Sequence, residues 1–138
     1  MRVHHETIRI PTRGQGTYEA TGLVGEALRN SGMASGLLTV FCPHTSCSLV
    51  MMENASPEAR RDLGAFLCRL VPEDRRYEHS IEGGDDMPAH IKMALTRTSE
   101  SIPFSGGALL LGTWQGIYLW EHRSSPHERS LVVTAMGT

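Results

Sequence analysis

A series of short apolar runs, each about the length of one β-strand and separated mainly by turn residues, constrains this chain most. Glu6 to Ile10 alternates polar and apolar residues, as a half-buried strand does. Leu37–Phe41 and Cys47–Met52 flank Pro43-His44-Thr45-Ser46 and read as two strands. Ser101–Phe104 and Ala108–Leu111, separated by Ser105-Gly106-Gly107, predict a hairpin. Ile117–Trp120 and Leu131–Ala135 supply two more strands, with a polar loop from Ser124 to Arg129 between them. Strands joined by short turns predict a largely antiparallel sheet.

Helices are fewer. Thr21 is placed to cap one over Leu23, Val24, Ala27 and Leu28, with Gly32 to stop it. The clearest begins at Ser56-Pro57, a cap residue followed by proline at the first helical position. Ala59, Leu63, Phe66, Leu67 and Leu70 fall on its apolar face, and Val71-Pro72 ends it. Arg75 to Asp86 reads as irregular and polar, after which Pro88 opens a short helix over Ala89 to Leu95. The predicted class is α+β, a single compact domain over 1–138 with a largely antiparallel sheet and two or three helices.

At 138 residues and 40% hydrophobic, the chain is long enough for one core and too apolar for a disordered segment. A net charge of -2 gives no global pull toward nucleic acid or an anionic membrane. No apolar run approaches the roughly 20 residues that span a bilayer. The opening MRVHHETIRIP lacks the apolar stretch of a secretory signal, so the expected location is the cytoplasm. Cys42, Cys47 and Cys68 are odd in number and lack CxxC spacing, which argues against a zinc ribbon or disulfide framework. Cys42 and Cys47 read as small hydrophobes in strand-like segments.

Ionisable groups gather in three separated segments: His44-Thr45-Ser46 with Ser48, Asp85 to Lys92, and Glu121-His122-Arg123. Lys92 is the only lysine. Burying so many unpaired would be costly, so together they predict a polar pocket. Asp86 and His90 are four apart and share a helix face, and Gly83-Gly84 allow the backbone to turn while Asp85 and Asp86 converge. Carboxylate oxygens suit Mg²⁺, whereas His44, His90 and His122 are candidate ligands of an open catalytic Zn²⁺ site. Structural roles compete with each: Asp86 as a helix-initiating charge, His44 in a turn, His122 at a strand end. Trp114 and Trp120 read as core or subunit-contact aromatics, with Trp114-Gln115 a candidate pocket wall. Arg60 and Arg61 read as solvated helix residues, one of them within reach of an anion. A Ser-His-Asp hydrolase lacks its GxSxG elbow here.

PHTSCSL, MENASPEARRDL, EGGDDMPAHIK and GTWQGIYLWEHR, in that order, resemble the signatures of the YjbQ-like family, also called the secondary thiamine-phosphate synthase family. The resemblance runs from about Thr7 to Gly137. It departs from the usual pattern at Ser125 to Glu128, where many relatives carry a glycine-rich turn. It implies a YjbQ-like α+β fold assembled as a homotrimer with polar sites near subunit boundaries. It also implies a weak thiamine-phosphate synthase activity, which joins hydroxymethylpyrimidine diphosphate to thiazole phosphate and releases pyrophosphate. On that reading the catalytic set is Asp85, His90, Lys92 and His122. Thr45, Ser46, Ser48, Gln115 and Arg123 contact a small phosphorylated or heterocyclic substrate, and a divalent Mg²⁺ or Zn²⁺ is held by His44, His90 and His122 or by Asp85 or Asp86. The competing functions are metal-assisted hydrolysis of a small phosphate ester or amide, and a non-catalytic module that binds a metabolite or metal.

Overall fold

The computed structural model describes residues 1–74 and 76–138. Among these residues the chain forms eight strands and three helices. Five strands make one sheet in the order β1 (Arg2–Thr12), β8 (His127–Gly137), β3 (Gly36–Phe41), β5 (Ser99–Ser105) and β6 (Ala108–Leu109). β2 (Gly16–Glu19), β7 (Gln115–Glu121) and β4 (Cys47–Glu53) make a second, with β7 in the middle. Every named pairing is antiparallel, as expected. The main core lies between the sheets and α1 (Thr21–Ser31), built from residues such as Ile8, Leu38, Val133, Leu119 and Leu28. A smaller cluster joins Trp120 of β7 to Leu67 and Val71 of the α2 region (Pro57–Leu70), with Ile91 from α3 (Asp86–Leu95) packed against it.

Local chemistry explains most boundaries. Ser56 caps α2 by accepting from the Ala59 N–H, and Gly32 ends α1 in the left-handed region at φ 68°. The β5–β6 turn is Gly106-Gly107, both at positive φ, the geometry a two-residue hairpin loop demands. Three expectations need correction. Thr21 does not cap α1; it is the first helical residue, and its hydroxyl accepts from the Ile117 N–H (2.9 Å), tying the helix to β7. α3 begins at Asp86 rather than Pro88, since a proline in a helix's first turn forfeits no intrahelical bond. β8 extends back to His127 through the predicted loop because Thr12 and Pro11 of β1 pair with His127 and Glu128. β2, short and polar at the sheet edge, carried no alternation to announce it. Of the stretch predicted as irregular, Arg75 lies outside the described residues. No helix among the described residues is long and apolar enough to cross a membrane.

β3 and β8 touch at Gly36 and Gly137, which face each other in register. A Cβ on Gly36 would collide with the Met136 carbonyl. Gly36→Ala should therefore cost about 2 kcal/mol by chemical denaturation. Gly22→Ala, within α1 and open to space, should instead add about 0.5–1 kcal/mol.

Candidate functional site

β7 is buried on both faces, and its end projects Glu121, followed by His122 and Arg123, into the region between α3, the β3–β4 loop and β8. Glu121 is the anchor. Arg129 grips it twice, Nε to Oε1 (2.7 Å) and Nη2 to Oε2 (2.6 Å), while Thr12 Oγ1 and the His122 and Arg123 N–H groups donate to the same carboxylate. Arg129 Nη2 also donates to Ser46 Oγ (2.9 Å), which locks the loop between β3 and β4. Burial pushes the Glu121 pKa up, but the Arg129 and Thr12 hydrogen bonds outweigh it and hold the carboxyl below its usual range.

Arg123 organises the carboxylates. Its Nε donates to Asp85 Oδ2 (3.0 Å), its Nη1 to Asp86 Oδ1 (2.8 Å) and its Nη2 to the Glu82 carbonyl (3.0 Å). The Ser124 N–H completes the hold on Asp85 (2.9 Å), and Gly83 at φ 108° makes the bend the glycine pair predicted. With all three groups engaged, Arg123 meets a phosphate only if one of these bonds opens.

The other oxygen of Asp86, Oδ2, lies 2.8 Å from His79 Nε2 and 3.1 Å from His90 Nε2. These three ligand atoms lie within 4.8 Å of one another, the one such metal-sized group among the described residues. The His90 Nδ1–H donates to the Thr45 carbonyl (2.6 Å). That bond fixes the tautomer, leaving the Nε2 lone pair of a neutral ring aimed at a carboxylate. A proton or a cation between them resolves that repulsion. Burial raises the Asp86 pKa, yet the His79 hydrogen bond, the interaction with His90 when that ring carries a proton, and the Arg123 charge leave it lowered overall. It is an anion across the physiological range.

A second group lies on another face of α3. Two residues beyond His90, Lys92 points roughly 200° further round the helix. Lys92 is 2% exposed, and its Nζ donates to the Cys68 sulfur (3.5 Å), with no carboxylate within salt-bridge reach among the described residues. His122 is equally buried. Its Nε2 pairs with Ser48 Oγ (2.8 Å), and Thr96 Oγ1 lies 2.7 Å from that same oxygen. Burial, with the nearby Lys92 charge, pushes the His122 pKa down to about 3. Both Lys92 and His122 line a cleft of about 640 Å³ between α2 and the outer face of β2–β7–β4, along with Arg60, Arg61, Trp120 and Tyr118. The Arg60 guanidinium sits 4.6 Å over the Tyr118 ring, and the buried Tyr118 hydroxyl has no hydrogen-bond partner. His122 should stay neutral through the physiological range: its ring resonances should not titrate between pH 8 and 5. Its lowered pKa contributes stability in full above the unfolded value of 6.5 and loses it as pH falls toward about 3.

Of the predicted site residues, Asp85, His90, Arg123 and the Thr45 backbone meet around Asp86, while Lys92 and His122 line the cleft, with Ser48 buried behind His122. Ser46 serves Arg129. His44 is turned elsewhere, its Nε2 accepting from the Ser130 N–H (3.0 Å). His44 and His122 thus do not join His90 in one ligand group. Gln115 lies at the far end of β7, its side chain accepting from the Gly112 N–H (2.8 Å), and Trp114 beside it is exposed. Missed from the sequence were His79, which sits in an aperiodic loop, and Arg129, six residues past the last quoted motif.

The YjbQ-like model of the UPF0047 proteins matches residues 6–138. The chain belongs to this family. Within it, the chain is 51% identical to the UPF0047 protein sll1880 of Synechocystis sp., over 99% of this chain and 93% of that one. It is 37% identical to the UPF0047 protein YjbQ of Escherichia coli O157:H7, covering 97% and 98% of the two chains. A crystal structure of a YjbQ/UPF0047 family protein from Clostridium acetobutylicum superposes with a TM-score of 0.85 at 35% identity, covering 96% of this chain and 98% of that one. A YbjQ-like protein of unknown function from Sulfolobus solfataricus P2 shares the fold, with a TM-score of 0.91 at 22% identity over 99% of each chain.

Proposed function

We propose that this YjbQ-like protein is a divalent-metal enzyme of small phosphorylated heterocycles, with a weak thiamine-phosphate synthase-type transfer as its reaction. The convergence of His79 Nε2, Asp86 Oδ2 and His90 Nε2 carries this reading. Two imidazoles and one carboxylate suit Zn²⁺ better than Mg²⁺, which prefers oxygen ligands. A bound ion would supply Lewis-acid neutralisation of a departing pyrophosphate. Asp85 and Arg123 hold the triad's carboxylate in place. Lys92, buried in the cleft on another face of α3 with no carboxylate within salt-bridge reach among the described residues, would meet phosphate oxygens of a substrate that reaches both faces. Neutral His122, paired with Ser48, orients a polar substituent.

Metal-assisted hydrolysis is the second reading, because a two-histidine, one-carboxylate set is also what catalytic zinc hydrolases use. The free thiols suit the reducing cytoplasm, where we place the protein. A homotrimer is part of the same proposal: exposed Val3, Met136 and Leu37 align across β1, β8 and β3, an apolar row on the sheet's outer face. Light scattering should give three times the 15.2 kDa chain mass. The deciding assay mixes the protein with hydroxymethylpyrimidine diphosphate and thiazole phosphate, with and without chelator. Chelator-sensitive thiamine phosphate and pyrophosphate support the synthase; release of phosphate from one substrate alone supports the hydrolase. Saturable binding without turnover leaves a metabolite-binding module.

A further inference from the structure

Cys42 and Cys47 close the two ends of the loop that orients the candidate metal triad. Cys42 follows β3 and Cys47 begins β4, so the pair spans the point where the chain passes from one sheet to the other. Both are free and buried, and their sulfurs are 3.5 Å apart. Between them lie His44, bonded to the Ser130 N–H, Thr45, whose carbonyl accepts from His90, and Ser46, bonded to Arg129. His44 and Ser46 are therefore tied to β8, and Thr45 to α3.

We propose that Cys42 and Cys47 are an oxidation site, forming a reversible intramolecular disulfide that shifts the Thr45 carbonyl and weakens the metal triad. A disulfide needs its sulfurs at about 2.05 Å, so the pair must close by roughly 1.5 Å, and the short loop between them must adjust. The thiols differ in character. The Cys47 side chain hydrogen bond lowers the Cys42 pKa, while the reciprocal interaction and burial raise that of Cys47. With Cys42 as the attacking sulfur, its thiolate takes one oxygen from hydrogen peroxide, giving a sulfenic acid and hydroxide, which takes up a proton as water. Cys47 then attacks that sulfur, the S–S bond forms, and the oxygen leaves as a second water with the remaining proton. Cys42 and Cys47 are 1% and 0% exposed, so the oxidant considered is peroxide, which is scarcely larger than water. The coupling rests on the metal reading above, but the disulfide itself does not.

Trypsin releases Cys42 and Cys47 together in the peptide Asn30–Arg60 and Cys68 in another. Cys68→Ser protein, holding zinc or apo, is treated with hydrogen peroxide, digested and weighed. The expected product is the Asn30–Arg60 peptide about 2 Da lighter, restored by dithiothreitol. Zinc affinity of the oxidised protein should fall about tenfold or more and recover on reduction, the scale expected when a ligand's supporting bond is disturbed. Cys42→Ala/Cys68→Ser protein should show neither change. Persistent free thiols, or sulfinic acid without the lighter peptide, would overturn the site. A disulfide that leaves zinc affinity unchanged would overturn the coupling, and absence of zinc binding in reduced protein would fault the metal reading while the mass result stands.

Discussion

Asp86→Asn should lower divalent-metal affinity by roughly 100-fold or more and abolish metal-dependent turnover, while the protein stays folded. The amide keeps the size and one carbonyl acceptor of the carboxylate but loses the charge that draws a cation between His79 and His90. Arg123 keeps its bonds to Asp85 and the Glu82 carbonyl, so α3 remains docked, and the stability loss should be about 1–2 kcal/mol. Zinc titration by calorimetry alongside circular dichroism separates the two effects. Metal affinity equal to that of the parent protein would remove Asp86 from the site. His79→Ala is a milder companion, since its half-exposed ring leaves no buried hole.

Glu121→Ala should produce the largest loss of stability, about 3–5 kcal/mol. The carboxylate is fully buried and accepts from Arg129, Thr12 and two backbone N–H groups. Removing it leaves the Arg129 guanidinium buried with Ser46 as its remaining partner. For a domain of this size the melting temperature should fall by roughly 10–20 °C. Glu121→Gln should cost less, and a Glu121→Gln/Arg129→Met pair should recover part of the loss, because it is the stranded charge that is expensive. The pH dependence has a definite sign. The folded pKa of Glu121 is lowered, so its contribution is complete above the unfolded value near 4.5 and disappears as pH falls through the folded one. A Glu121→Gln variant should show a correspondingly flatter acid limb. A melting temperature within a few degrees of the parent protein would mean that the pair is not the anchor of this end of β7.

Much of the fold was legible because local rules decide it. Ser56-Pro57 set the start of α2 through one hydrogen bond and one fixed torsion, and Gly106-Gly107 set the hairpin because both positions need positive φ. Part of the site was equally local: Asp86 and His90 share a helix face four residues apart, and Gly83 bends the chain before them. His79 was not legible, since its loop has no period to place the ring beside Asp86. The roles of the other histidines were also hidden. His44 and His90 lie in separate sequence motifs, and the decision between ligand and strut depends on which backbone group faces each ring, the Ser130 N–H for His44 and the Thr45 carbonyl for His90.

Periodicity, caps and turns act over a few residues, so the order of the helices and of the strands other than β2, the α+β class and the grouping of ionisable side chains could be read directly from the residue string. Which of those side chains converge depends on long-range packing: β7 sinks between two layers, carries Glu121, His122 and Arg123 to α3, and leaves Gln115 at the opposite end. Charge and hydrogen-bond geometry then assign the parts. Arg123 is occupied by two aspartates, Asp86 keeps one oxygen for a pair of imidazoles, and Lys92 is left buried against a thiol, because partners within about 3 Å are chosen by three-dimensional proximity and not by distance along the chain.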